Sequence, residues 1–136
     1  MSAAPSSPYR PFAISVVRGH GEVVVIPVGD VDLASAEILL HQIEQVPGAG
    51  VAQVVVDLTN VDFIDSVGLR ALLSLSDDAE RNGHGMTLIA PGPTARRIFE
   101  ITGTRGLLDW RIDRTSPSRF RFRLTSSRLD TYGMGV

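Results

Sequence analysis

The chain has 136 residues, 43% of them hydrophobic, and a formal net charge of −2, which suffices for one closed core but not for two ordinary domains. It contains no cysteine, so disulfides, thiolate metal ligands and a cysteine nucleophile are excluded. All 13 basic residues are arginine, which also removes P-loop, Schiff-base and general-base lysines.

Residues 1–11 are rich in Ser, Ala and Pro and lack a charged start followed by an apolar run, so they predict a flexible N-terminal segment and no signal peptide. No stretch approaches the length of a membrane span, and the expectation is a cytoplasmic protein without a membrane contact. Residues 1–112 carry 8 Arg and 13 acids, whereas residues 113–136 carry 5 Arg and 2 acids. An acidic body with a basic tail argues against direct nucleic-acid binding, which needs a basic face for the phosphates.

Phe12 to Arg18 and Val23 to Val28 are short β-branched runs around Gly19-His20-Gly21 and predict an antiparallel hairpin. Gly29-Asp30 then breaks the pattern. From Ser35 to Val46 the apolar residues Leu39, Ile43 and Val46 fall at helical spacing until Pro47-Gly48. Val51 to Leu58 contains three successive valines and lacks alternation, as expected of a central strand covered on both faces. Ser66 to Asn82 places Leu69, Leu72, Leu73 and Ser76 on one helical stripe, with Asn82-Gly83 as its stop.

Met86 to Ala90 reads as another buried strand, ended by Pro91-Gly92-Pro93. Ala95, Ile98, Phe99 and Thr102 then mark a third helix closing at Gly103, and Leu107 to Ile112 a last short strand. Alternating strands and helices imply parallel crossovers, hence an α/β domain over residues 12–112. Its expected form is an open mixed sheet of four to five strands with three to four helices packed on it.

Residues 113–136 form a basic C-terminal tail. Arg119-Phe120-Arg121-Phe122-Arg123-Leu124 alternates charged and apolar residues, which fits an extra edge strand or a strand pairing with another chain, and so a homodimer through the tail. The Ser, Thr, Pro and Gly around it fit a disordered arm equally well, and a basic docking segment is a third reading.

The most informative stretch is Asp65-Ser66-Val67-Gly68-Leu69, which puts a hydroxyl where a buried strand hands over to an amphipathic helix. Asp65 or Ser66 as an N-cap, worth roughly 1 kcal/mol, is the simpler reading. A helix start also offers unpaired N–H groups and a positive dipole end, so a phosphate at Ser66 is tolerated without unfolding. Val67 leaves Ser66 as the only hydroxyl in this stretch, and Gly68 would leave nearby backbone uncovered for a second protein. Asp57 and Asn60, at the end of the valine strand, read as structural hydrogen-bonding residues.

Gly29-Asp30-Val31-Asp32-Leu33-Ala34-Ser35-Ala36, and Val55-Val56-Asp57-Leu58 followed by Phe63-Ile64-Asp65-Ser66-Val67-Gly68-Leu69, stand in an order and spacing that resemble STAS domains, most closely the single-domain anti-sigma factor antagonists. That resemblance covers Phe12 to Ile112. It implies that an anti-sigma factor serine kinase phosphorylates Ser66 with ATP bound in the kinase, that a metal-dependent serine phosphatase reverses this, and that the chain needs no cofactor or metal of its own. It also implies that the unphosphorylated form binds the anti-sigma factor and frees a sigma factor. Asp30, Asp32, Asp62, Asp65, Ser66, Val67, Gly68 and Leu69 are the expected partner-contact residues, although such acids also serve as turn and cap residues. The tail departs from the pattern, since these domains usually end soon after the last element.

Two other classes compete. A hydrolase nucleophile elbow needs Gly-x-Ser-x-Gly, and Ile64 stands where the first glycine belongs; His20, His41 and His84 lack a metal-ligand spacing. No catalytic residue is therefore assigned, and the chain is not expected to be an enzyme. The remaining alternative is a STAS-type binding module outside sigma control, as a transporter accessory subunit or a stress-signalling scaffold.

Overall fold

The computed structural model describes residues 10–46, 48 and 50–115, together with the backbone of residues 120–121. Its elements are β1 (Ala13–Arg18), β2 (Glu22–Val31), α1 (Leu33–Gln45), β3 (Gln53–Asp57), β4 (Val61–Ile64), α2 (Ser66–Arg81), β5 (Gly85–Ile89), α3 (Pro93–Thr102), a 3-10 turn (Arg105–Leu107), β6 (Asp109–Arg111) and β7 (Phe120–Arg121). The sheet runs in the order β1-β2-β3-β5-β6-β7, and β4 pairs with β2 outside that path. The β1–β2 and β6–β7 pairs are antiparallel, and all others are parallel. A mixed sheet under helices is thus present, with more strands than the four to five expected.

Of the two additional strands, β7 falls in the alternating run Arg119 to Leu124, for which an edge strand is one reading, and β4 is short and carries little hydrophobic signal. In β4 only the terminal Val61 and Ile64 are buried, while Asp62 and Phe63 face out. The pattern of β2 also continues through the apparent break at Gly29-Asp30. There the register shifts between Gly29 and Asp30, and β2 passes from β3, last paired at Val25, to β4, first paired at Val61. Pro27 falls in this handover, where a missing N–H costs least. Gly29 adopts φ 104°, and a side chain there would approach the carbonyl oxygens of Arg10 and Pro11 at 3.1 and 3.3 Å. The glycine therefore supplies both the bulge and the room for the chain that enters β1.

All three helices contribute to one core. Leu39 and Ile43 of α1, Leu69, Leu72 and Leu75 of α2, and Ala95 and Phe99 of α3 pack with Val23, Val25, Val54, Val56, Met86 and Leu88 from the sheet. The sequence stripe for α2 places Leu73 inward, whereas Leu75 and Ala79 are more deeply buried. Val54, Val55 and Val56 are fully buried, because alternate residues of β3 supply both faces: Val55 joins Val24, Ile26 and Ile89 in a second cluster. Phe99 meets Trp110 edge-to-face at 5.2 Å, a geometry that satisfies both ring quadrupoles, and the indole N–H donates to the Arg105 carbonyl at 2.9 Å.

Two ion pairs tie the β6 end of the chain back to the sheet. Arg111 pairs with Glu22, and Arg114 Nε donates to Asp57 Oδ2 at 2.6 Å. Asp57 Oδ1 also accepts from the Thr59 N–H at 3.0 Å and the Thr59 hydroxyl at 2.7 Å, the structural role expected of it. Burial alone would push this carboxyl up, but the hydrogen bonds from Arg114 and Thr59 outweigh it and hold its pKa below the ordinary value. Of the alternating run Arg119 to Leu124, only Phe120–Arg121 is described, as backbone paired with Asp109 and Trp110; the remainder lies outside the described residues.

Arg114→Ala removes a charged partner from a buried carboxylate and should cost about 1–3 kcal/mol at neutral pH. Because the folded pKa of Asp57 is depressed, its contribution is present above the unfolded value of about 3.9 and is lost as pH falls through the folded value. Urea unfolding of wild type and Arg114→Ala should accordingly converge in acid and separate by pH 6; a constant separation would assign the effect to packing.

Candidate functional site

At one end of the sheet, β2 and β4 lie side by side and each turns directly into a helix. Asp32 caps α1, its Oδ1 accepting from the N–H groups of Ala34 at 3.0 Å and Ser35 at 3.2 Å. Ser35 completes the box: its hydroxyl accepts from the Asp32 N–H at 3.0 Å and donates to the Asp30 carbonyl at 2.5 Å. Asp65 caps α2 in the same manner, with Oδ1 accepting from the Gly68 N–H at 2.9 Å. Both acids complement the positive ends of their helices.

Asp65 thus takes the capping role that the sequence left open between Asp65 and Ser66. Ser66 is the first helical residue and is exposed, and its hydroxyl has no partner among the described residues. Val67, half-buried, lines a groove of about 320 Å³ between α1 and α2 together with Leu33, Leu40, Glu37 and Arg70. Leu33 is 75% exposed and Phe63 47% exposed, large values for apolar side chains flanking a single turn.

Gly68 and Leu69 are buried. The absent side chain of Gly68 serves packing and does not open backbone to the outside: a Cβ there would lie 2.3 Å from the Val31 carbonyl oxygen and 2.9 Å from Val31 Cγ1. The Asp65 N–H donates to that same carbonyl at 3.2 Å. The start of α2 therefore rests on the end of β2, and this contact brings the Asp30–Asp32 turn and the Asp65–Ser66 turn together.

Asp30 and Asp62 converge beside these turns. The Asp30 carboxyl is pushed up, first by partial burial and then by the charges of Asp62 and Asp32, against an opposing pull from Arg10. Arg10 makes a bidentate pair with Asp62, Nε to Oδ2 at 3.0 Å and Nη2 to Oδ1 at 2.8 Å, and its guanidinium is held yet more firmly protonated by that contact. The sequence offered no sign of this residue's place, because Arg10 and Asp62 are separated by 52 positions and Arg10 stands outside every periodic run. Leu33 was legible only as part of the Gly29 to Ala36 stretch, and Arg70 carries no motif that singles it out.

A mixed α/β domain with an exposed serine at the start of an aspartate-capped helix, beside a second capped helix start, defines the class. A family model described as the STAS domain matches residues 13–118, and the chain belongs to that family. It is 33% identical over 97 residues to the anti-sigma-F factor antagonist RsfB of Mycobacterium tuberculosis, covering 68% of this chain and 77% of the relative. A solved anti-sigma factor antagonist from Mycobacterium paratuberculosis superposes with a TM-score of 0.65 at 28% identity, over 82% of this chain and 92% of that one. The anti-sigma factor antagonist SpoIIAA in its unphosphorylated form shares the fold, with a TM-score of 0.58 at 19% identity over 91% and 98% of the two chains.

The two turns make separable predictions. Gly68→Ala should destabilise the domain by about 1–3 kcal/mol through overpacking against Val31, and Asp65→Ala by about 1 kcal/mol through loss of a cap. Chemical denaturation of both variants checks this; an unchanged Gly68→Ala would mean that α2 does not press on β2 in solution.

Proposed function

We propose that the chain is an anti-sigma factor antagonist controlled by phosphorylation of Ser66. The observation that carries this reading is the exposed, unpartnered Ser66 hydroxyl at the first position of α2, released from capping by Asp65. A partner anti-sigma factor with serine kinase activity transfers the γ-phosphoryl group of its own ATP to the Ser66 oxygen. ADP departs, and the hydroxyl proton passes to a base on the kinase. A serine phosphatase restores the hydroxyl, and the chain supplies a substrate side chain, without catalytic residues, cofactor or metal. Its own setting is the cytoplasm.

In the unphosphorylated state, Asp30, Asp32, Asp62 and Asp65 give the partner surface its charge, and Ser66, Val67, Gly68 and Leu69 form the turn that meets the partner. Val67, Leu33 and Phe63 supply its exposed apolar contacts. Gly68 and Leu69 act from beneath by fixing the turn. Phosphorylation adds about −1.5 to −2 charge to a surface where Asp30 already lies among like charges. Repulsion from acidic partner groups facing Ser66, and the cost of desolvating the dianion there, then eject the partner with no large conformational change; a loss of about 3 kcal/mol of binding weakens affinity more than a hundredfold.

Incubating the purified chain with the serine kinases of its source organism and ATP should add one phosphoryl group that peptide mapping places on Ser66. The Ser66→Ala variant should take up none yet retain the anti-sigma factor, whereas Ser66→Glu should bind it at least tenfold more weakly in calorimetry. Equal affinities for the two variants would show that charge at this turn does not govern assembly, and absence of transfer from every kinase would overturn the reading.

A further inference from the structure

Arg10 lies three residues before β1, yet its side chain is fixed at the turn between β3 and β4. Nε donates to Asp62 Oδ2 at 3.0 Å, and Nη2 donates to both Asp62 Oδ1 at 2.8 Å and the Asn60 carbonyl at 2.9 Å. A planar guanidinium set against both oxygens of one carboxylate is the geometry in which arginine binds most selectively. The backbone of the same segment is placed independently: at Gly29, the bulge of β2, any side chain would crowd the carbonyl oxygens of Arg10 and Pro11. The chain at 10–11 is therefore laid across the end of β2 by its backbone and pinned at Asp62 by its side chain.

Asp62 is also one of the acids assigned above to the partner, and a partner cation that reaches it would need the oxygens that Arg10 holds. We propose that Arg10 is an internal competitor: the segment entering β1 straps the Asp62 side of the partner surface, and the anti-sigma factor must displace the Arg10 guanidinium to dock there. This inference rests on the antagonist reading and adds a tuning element to it. Both side chains of the pair are 45% exposed, so the strap is weak enough to leave. Exposed pairs of this kind correspond to roughly two- to fivefold in an equilibrium constant, which makes Arg10 a modest brake on affinity and not a lock.

The test uses the full chain and has two arms. In the free protein, exchange of the Arg10 Nε–H with solvent, followed by 15N NMR, should be slower in wild type than in Asp62→Asn; equal exchange would overturn the proposal whatever the partner does. With the anti-sigma factor kinase as titrant, Arg10→Ala should bind about two- to fivefold more tightly than wild type, and the same substitution in an Asp62→Asn background should have no effect. Arg10→Ala binding equally or more weakly would overturn the competitor role and make Arg10 a support of the surface. The antagonist reading is judged separately, by wild type against Ser66→Glu; if no kinase binds wild type, both readings fall, even with a slowly exchanging Arg10.

Discussion

The contact between Gly68 and Val31 is the constraint on which the geometry of this protein turns. The helix α2 begins directly after β4, and its first turn rests on the last residue of β2, the strand paired with β4. Only a residue without a side chain permits a backbone approach this close. Two connections far apart in sequence, Asp30–Asp32 and Asp65–Ser66, consequently become parts of one surface. The same contact turns the Gly68 side of α2 inward and leaves Ser66 outward, since residues two apart in a helix point about 200° apart.

The electrostatics of that surface follow from the packing. Both helices that start there are capped by aspartate, and each cap uses its carboxylate on backbone N–H groups. The charges are thereby held in place by bonds that would exist for stability alone, and the acidity of this surface follows from ordinary capping chemistry. Asp30 and Asp62 are different: they are not caps, and partial burial together with the charges of Asp62 and Asp32 raises the proton affinity of Asp30.

Much of this was legible in the sequence wherever a run of residues is buried on a regular period. The hairpin of β1 and β2, the valine strand β3 and the short β5 declare themselves through β-branched or apolar runs bounded by turn residues, and the amphipathic α2 through spacing. What stayed hidden depends on partners distant along the chain. In β4 the two middle residues face out, so four residues carry only two buried positions and no periodic signal. The continuation of β2 past Gly29 looked like a stop, because a bulge and a break share the same glycine. Ser66 was found as a position, yet its freedom from capping could be settled only once Asp65 was seen to bond Gly68. Gly68 itself was noticed for the wrong reason, since a glycine that admits a partner and one that admits a neighbouring strand are identical in sequence.

Arg10 and Arg114 reach the same short turn from opposite ends of the chain, one bonding Asn60 and Asp62, the other bonding Asp57. That turn leads through four residues of β4 straight to Asp65 and Ser66. Both ends of the described domain thus share one anchor, the segment from Asp57 to Asp62, a short strand away from the exposed serine.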